Sequence, residues 1–337
     1  MKKILALLCA LCMIFALCAC GQSSAPAAPA ETSASGDAAP AEAPAASGSS
    51  LNFTTGGDQG TYYAFGGVMA QKVGEVTDTT VTAITSGGSQ ANIYALQDGD
   101  AQLGFVQSDV MAYAYQGARL FEEDGAIQDF STVAAMYMEQ VQIVTLDPSI
   151  KSVADLAGKR VSIGAAGSGV YFNAIDILGA YGLTEDDISP TYQSFGDSTD
   201  ALQDRQIDAA FVVAGAPTTA VTSLAASNDV YLVSLDDEHI ETLTASSPYY
   251  TKNVIPADVY GTAEDITTVA IGAVIIARDD VSNHDIINFL TAVFENELSH
   301  AKADELSLEF AASVTDVPYH PGAVEYFASK GIEVPGK

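Results

Sequence analysis

Two stretches of this chain combine residue types that could hold a small charged solute. GGDQGTYY at 56–63 and GAAGSGVYF at 164–172 each space two glycines three residues apart, place a hydroxyl at or beside the last glycine, and run into an aromatic. Glycine lets the backbone turn sharply and lets a ligand come close to the amides. A helix starting at such a corner offers first-turn N–H groups without intrahelical partners and a positive dipole end, so the pair resembles two anion-friendly jaws. Ser86-Gly87-Gly88-Ser89 is a third turn of this kind, with Asn92 one helical turn further on, and Gln107-Ser108-Asp109 and Ala214-Gly215-Ala216-Pro217 supply two more. One glycine-rich turn is usually only a tight connection. Its recurrence in two halves of the chain is what points to a ligand.

Reaction chemistry is much harder to assemble from these residues. His239, His284, His300 and His320 stand apart, none at a metal-ligand spacing, and there is no Gly-x-Ser-x-Gly elbow. The 164–169 segment reverses the order of the dinucleotide fingerprint, and no Gly-x-x-x-x-Gly-Lys phosphate loop occurs. All four cysteines, Cys9, Cys12, Cys18 and Cys20, fall in the first twenty residues, so the body has no thiol for a disulfide, a metal cage or a nucleophile. The expectation is a binding protein with no catalytic residue, no metal and no cofactor. A secreted enzyme using the same cleft is the alternative, and a turnover assay would expose it. Glu139, in the apolar run MYMEQVQIV, is the carboxylate least at ease. It is either an edge-facing residue, the preferred reading, or a polar group at a cleft floor. Tyr62, Tyr63, Tyr171 and Phe172 are expected in the core, the alternative being that one from each side closes over a ligand's apolar carbons.

The elements that must position these corners alternate. LNFTT leads to a helix from about Tyr62 to Val73, TVTAIT leads through SGGSQ to ANIYALQDG, and AQLGFVQ leads through SD to VMAYAYQG. KRVSIG then leads through AAGSG to VYFNAIDILGAYG, and IDAAFVV through AGAP to TTAVTSLAAS. Such βαβ units predict an α/β fold with a largely parallel sheet, and the glycine turns, all following strands, should lie at one sheet edge, where ligands bind in open α/β folds. Ser152 with Asp155 forms a capping-box pattern, and Gly99, Gly158 and Gly182 sit where helix C-caps belong. The strand VQIVTLDPSI at 141–150 and a second passage near Asn253-Val254-Ile255-Pro256 enclose one α/β unit. This divides the body into a lobe of 51–146 plus 255–337 and a lobe of 147–254. The segment from Ser307 to Lys337 is expected to pack as helix and loop on the first lobe.

The chain has 337 residues, 48% of them hydrophobic, enough to bury a sizeable core in about two lobes. Its start, MKKILALLCALCMIFALCACG, has a basic beginning, an apolar run and small residues before Cys20, the grammar of a secretory signal over residues 1–19. A short uncleaved anchor is the alternative. Leu17-Cys18-Ala19-Cys20 resembles a bacterial lipobox, which implies cleavage before Cys20 and acylation of its thiol. Residues 20–50, rich in Ala, Pro and Ser, cannot bury enough apolar surface to order themselves and form a tether with a reach of about 30 Å. The net charge of −30 argues against nucleic acid or anionic lipid as a partner of the body.

Taken together, GGDQGTYYAFGGVMA, TSGGSQANIYALQDGDAQLGFVQSDVMAYAYQG, SVADLAGKRVSIGAAGSGVYFNAIDILGAYGL, QIDAAFVVAGAPT and PYYTKNVIPADVY resemble the TAXI subfamily of solute-binding proteins, the extracytoplasmic receptors of TRAP transporters. The resemblance runs from Leu51 to about Phe294. It implies a two-lobed periplasmic-binding-protein fold, capture of an amino acid or dicarboxylate, glutamate-like ligands being favoured, and delivery to a TRAP permease in the membrane. The ligand-binding residues it implies are Gly57, Gly60, Thr61 and Tyr63, then Ser89 and Asn92, then Gln107 and Asp109, then Ser168, Gly169 and Gly215. Family members often carry histidine where this chain has Gln142. Arg160 starts its strand, at the edge away from the glycine turns, so an arginine clamp is not expected. Asp109, if it reaches the cleft, would attract an ammonium and favour an amino acid; equally, it could cap the helix VMAYAYQG. A ligand-sensing lipoprotein without transport is the alternative function.

Overall fold

The computed structural model describes residues 47–337. The leader over 1–19, lipidation at Cys20 and most of the tether lie outside the described residues. The chain runs β1 (Ser50–Thr54), α1 (Thr61–Val76), β2 (Thr80–Ile84), α2 (Ser89–Gln97), β3 (Leu103–Gln107) and α3 (Ser108–Gln116). It continues with β4 (Phe130–Thr145), β5 (Arg160–Ser162), α4 (Val170–Ala180), β6 (Ser189–Thr191), α5 (Phe195–Gln203), β7 (Ala209–Ala214) and α6 (Thr219–Ala225). Then follow β8 (Tyr231–Leu232), α7 (Asp237–Ser246), β9 (Thr251–Ile255), α8 (Ala257–Tyr260), β10 (Ile266–Arg278), α9 (Asn283–Phe294), α10 (Leu308–Ala311) and α11 (Pro321–Ser329).

The sheet order is β2-β1-β3-β10-β4-β7-β5-β6. The expected parallel pairing holds in two triplets, β2-β1-β3 and β7-β5-β6. Between them lie two long strands that pair antiparallel with each other and with their neighbours. The sequence reading begins the fourth strand at Val141, but β4 begins at Phe130. Its FSTVAAMYMEQVQIVT run is buried almost throughout, so no alternation of apolar and polar residues marks where it starts.

These two strands carry the chain from one half of the sheet to the other. One core cluster holds Phe53, Phe65, Phe105 and Tyr137 with Ala273 and Ile275; another holds Val141, Ile143, Phe211 and Ile177 with Val269 and Ile271. The core therefore changes over inside β4, between Tyr137 and Val141, and inside β10, between Ile271 and Ala273. The sequence reading places both passages at proline turns. A turn is visible in local sequence, whereas a strand shared by two cores is set by what packs on each half.

Local signals are realised closely. Ser152 and Asp155 form a reciprocal capping box on the 3-10 turn Val153–Leu156. Gly99, Gly158 and Gly182 all adopt positive φ. The C-terminal helix α11 packs Ala323, Tyr326 and Phe327 into the first core. Among the described residues no helix is long and apolar enough to cross a membrane.

Candidate functional site

Every parallel strand ends at one cavity. It is lined by Gly57 and Gly60 after β1, Ser86 to Ser89 after β2, Gln107 at the end of β3, Ala165, Ser168 and Gly169 after β5, Gln193 to Phe195 after β6, and Val213 and Ala214 at the end of β7. The carboxyl ends of parallel strands are where an open α/β sheet leaves a crevice, because the following helices turn away to either side. The cavity measures about 70 Å³. One water needs roughly 10–15 Å³ on that measure, so there is room for a solute of several heavy atoms.

The donors come from helix starts. α1, α2 and α4 are N-capped by Gly60, Gly88 and Gly169. Glycine has no side chain to accept from the first-turn N–H groups, so the leading amides of these helices are left for something else, apart from Ala91 in α2 and Phe172 in α4, which donate to the Gly167 and Gly169 carbonyls. By contrast α5, whose cap also reaches the cavity, satisfies itself through Ser194, which accepts from the Asp197 N–H at 3.1 Å. Ser168 adds a buried hydroxyl that has no hydrogen-bond partner among the described residues.

The glycine corners do face one another, with partners exchanged relative to the simplest pairing. The 164–169 corner meets the 86–89 corner: the Ala91 N–H donates to the Gly167 carbonyl at 3.0 Å, and a Cβ on Gly87 would lie 2.8 Å from the Ala166 oxygen. The 57–60 corner meets the start of α5 and of α6. A Cβ on Gly60 would lie 3.4 Å from the Phe195 ring, and the Ala220 N–H donates to the Gln59 carbonyl at 3.1 Å. Gly169 approaches Gln107 so closely that a Cβ would sit 1.8 Å from its Oε1.

Of the residues named from the sequence, Gly57, Gly60, Thr61, Ser89, Gln107, Ser168 and Gly169 line the cavity. Thr61 is committed, its hydroxyl donating to the Gly215 carbonyl at 2.8 Å. Four others are placed elsewhere. Tyr63 faces outward, 37% exposed, and its neighbour Tyr62 lines the cavity instead. Asn92 is wholly buried behind it, donating to the Thr55 and Phe105 carbonyls at 2.6 Å each and accepting from the Thr54 hydroxyl at 2.7 Å. Gly215 is not in the lining, although the preceding Ala214 is. Asp109 is buried in the first turn of α3, where Gln107 is the N-cap. Its oxygens accept from the Val110 N–H at 2.7 Å and the Asn173 amide at 3.2 Å, and burial pushes its carboxyl up to about 7.

The acidic group at the floor is Glu139, contrary to the preferred edge-facing reading. It is 2% exposed and accepts a 2.8 Å hydrogen bond from the Tyr62 hydroxyl. Burial pushes its carboxyl up to about 8, with the Tyr62 bond opposing, Asp109 adding to the rise, and the Gln107 amide and the Lys302 charge opposing. The only charge in an apolar run was the available signal for Glu139. Gln193, Ser194 and Phe195 were missed because β6 is three residues long and its strand-to-helix turn contains no glycine pair. Gln142 is a fully engaged core residue: its amide donates to the Ala214 carbonyl and the Thr218 hydroxyl and accepts from Tyr260. Among the described residues no cluster of His, Cys, Asp and Glu could hold a metal.

The family model described as NMT1-like family matches residues 53–331. A solved periplasmic transporter is 13% identical over 84% of this chain and 92% of its own, with a TM-score of 0.50. PhnD1 from Prochlorococcus marinus (MIT 9301), solved in complex with methylphosphonate, is 11% identical over 76% of this chain and 88% of its own, also with a TM-score of 0.50. The alkanesulfonate-binding protein SsuA from Xanthomonas axonopodis pv. citri, bound to MOPS, is 16% identical over 85% and 92% with a TM-score of 0.45. The fold is the two-lobed α/β fold of periplasmic binding proteins, with the cavity where the two halves of the sheet meet.

Proposed function

The chain belongs to the NMT1-like family, and from that premise we propose that it is an extracytoplasmic receptor that closes two lobes around one small solute and hands it to a membrane permease. The observation that carries this reading is the convergence of three glycine-capped helix starts on one cavity. Amides fixed in a fold stabilise an anionic group without the cost of gathering them when the ligand arrives. Contacts from both lobes favour the closed form by as much as the ligand's affinity differs between open and closed states.

Within that reading the solute is an amino acid or small carboxylate, with glutamate-like ligands favoured, and the permease is of the TRAP type. The motif resemblance to TAXI receptors supports both. The lobes are taken as 51–146 with 255–337 and 147–254, with β4 and β10 each reaching across the division into both cores, and Cys20 carries the lipid that holds the tethered body at the membrane. The ligand contacts are the cavity-lining glycines with Thr61, Ser89, Gln107 and Ser168.

A thermal-shift panel of amino acids and small mono- and dicarboxylates, followed by calorimetric titration, tests the proposal. A ligand that binds only the native state stabilises it by RT ln(1 + L/Kd), L being the free ligand concentration, and so raises the melting temperature. At least one member is expected to do so with one-to-one stoichiometry. A flat panel, or turnover of a bound member, would count against a receptor for this class of solute.

A further inference from the structure

The cavity has opposite polarity at its two sides, and its acceptor side is built around Glu139 and Tyr62, which the motif resemblance does not include among ligand contacts, with Gln107, which it does. Glu139 and Tyr62 line it together, joined by the 2.8 Å bond from the tyrosine hydroxyl. Beside them is the side chain of Gln107, whose orientation is determined by a chain of partners. Asn173 is buried, and its amide nitrogen donates to Asp109 Oδ2 at 3.2 Å and lies 3.0 Å from the Tyr250 hydroxyl. Its carbonyl oxygen is thereby left to accept from Gln107 Nε2, at 3.0 Å. Gln107 Nε2 being used, its Oε1 is an acceptor, buried and without a hydrogen-bond partner among the described residues. An orphaned buried acceptor carries a desolvation penalty that a ligand donor removes.

Resting on the receptor reading above, we propose that Glu139, with the free Oε1 of Gln107 beside it, is the specificity-determining acceptor for a ligand ammonium, and that binding releases the Glu139 proton. The anionic end of a zwitterion then lies on the glycine corners and its ammonium on the floor. Without ligand, burial keeps the carboxyl largely protonated at neutral pH. The bound ammonium supplies the counter-charge that burial otherwise denies, so the carboxylic O–H breaks, the carboxylate pairs with the ammonium, and one proton passes to solvent. A carboxylate without an amino group offers no donor to this floor. Its anionic oxygen would have to be met by the protonated acid, which reverses the proton linkage.

The groups facing Glu139 from each side are Tyr62 from α1, Asp109 from α3, Tyr137 from its own strand, and Lys302, which is paired to Glu305, from the 3-10 turn Ala301–Glu305. Asp109, at about 7, also titrates in this range. Its influence survives substitution of Glu139, which separates the two.

The test is calorimetric titration of the full chain with L-glutamate and with glutarate, which shares its carbon chain but has no ammonium, in buffers of different ionisation enthalpy. Expected are glutamate binding with net proton release and an affinity that rises with pH until about 8, where it levels. Glutarate should be bound about 10- to 100-fold more weakly, and Glu139→Gln should weaken glutamate by a similar factor and remove the rise toward pH about 8, leaving only the shallower dependence that Asp109 contributes near 7. The wild-type proton count needs no variant, so a poorly folding Glu139→Gln protein would leave the test intact. Equal affinity for glutarate, proton uptake, or an unchanged pH slope in Glu139→Gln would overturn this inference and leave the receptor reading standing. Failure of every amino acid and carboxylate in the wider panel would overturn both.

Discussion

At the scale of single residues, closure rests on side chains that are absent as much as on those present. Gly169 is the clearest case, because its hydrogen takes the place where any Cβ would meet Gln107 Oε1 at 1.8 Å. Gly169→Val should therefore bind no ligand in calorimetry while melting within a few degrees of wild type, since the open form relieves the clash. Wild-type affinity in that variant would show that the corner does not close on Gln107. Asn92 illustrates the opposite case. Its type and position suggest a ligand contact, yet all three of its hydrogen bonds go to Thr54 at the end of β1, Thr55 just after it and Phe105 in the middle of β3. It holds the strands that present Gln107 and the first glycine corner.

At the scale of elements, the position of α1 on the sheet decides where Thr61 and Tyr62 stand. Two adjacent glycines in this helix have different roles. A Cβ on Gly66 would lie 2.8 Å from the Thr55 methyl and 3.4 Å from the Phe53 ring. Thr55 cannot easily move, since its hydroxyl donates to the Ile84 carbonyl at 2.7 Å. Gly67 has nothing within that reach. Gly66→Ala should destabilise the protein by about 1–3 kcal/mol through overpacking. Gly67→Ala should stabilise it by about 0.4–1 kcal/mol by restricting the unfolded chain. Thermal melts of the two variants decide the matter, and shifts of the same sign would disprove this account of the helix seat.

At the scale of the whole molecule, the two lobes are also held together away from the cavity. Arg119, just after α3, donates to both oxygens of Asp176 in α4, at 3.1 and 2.8 Å, and its guanidinium lies 5.1 Å from the Tyr113 ring centre and 5.3 Å from that of Phe172. Both partners are partly exposed, and pairs of that kind contribute under about 1 kcal/mol. A bridge that opening of the lobes breaks biases the protein toward closure. Arg119→Ala should lower the affinity for any ligand about two- to fivefold with no change in selectivity. Small-angle scattering should show a more open ligand-free population. A change in ligand preference would mean that Arg119 acts on the cavity and not on closure.

By itself, the sequence determined the local grammar: the βαβ units, the capping box at Ser152, the positive-φ glycines and the corners at 57–60, 86–89 and 164–169. These follow from steric freedom and hydrogen bonding among residues a few positions apart, which neighbouring residue types encode. The tertiary structure alone decided that Tyr62 and not Tyr63 turns inward, that Glu139 is the cavity floor, that Asp109 lies behind it, and that the 164–169 corner closes on 86–89. It also decided that β4 and β10 carry the chain between the halves of the sheet. Which face of a strand or helix meets a cavity depends on register and on packing between segments a hundred residues apart, and no local pattern records that.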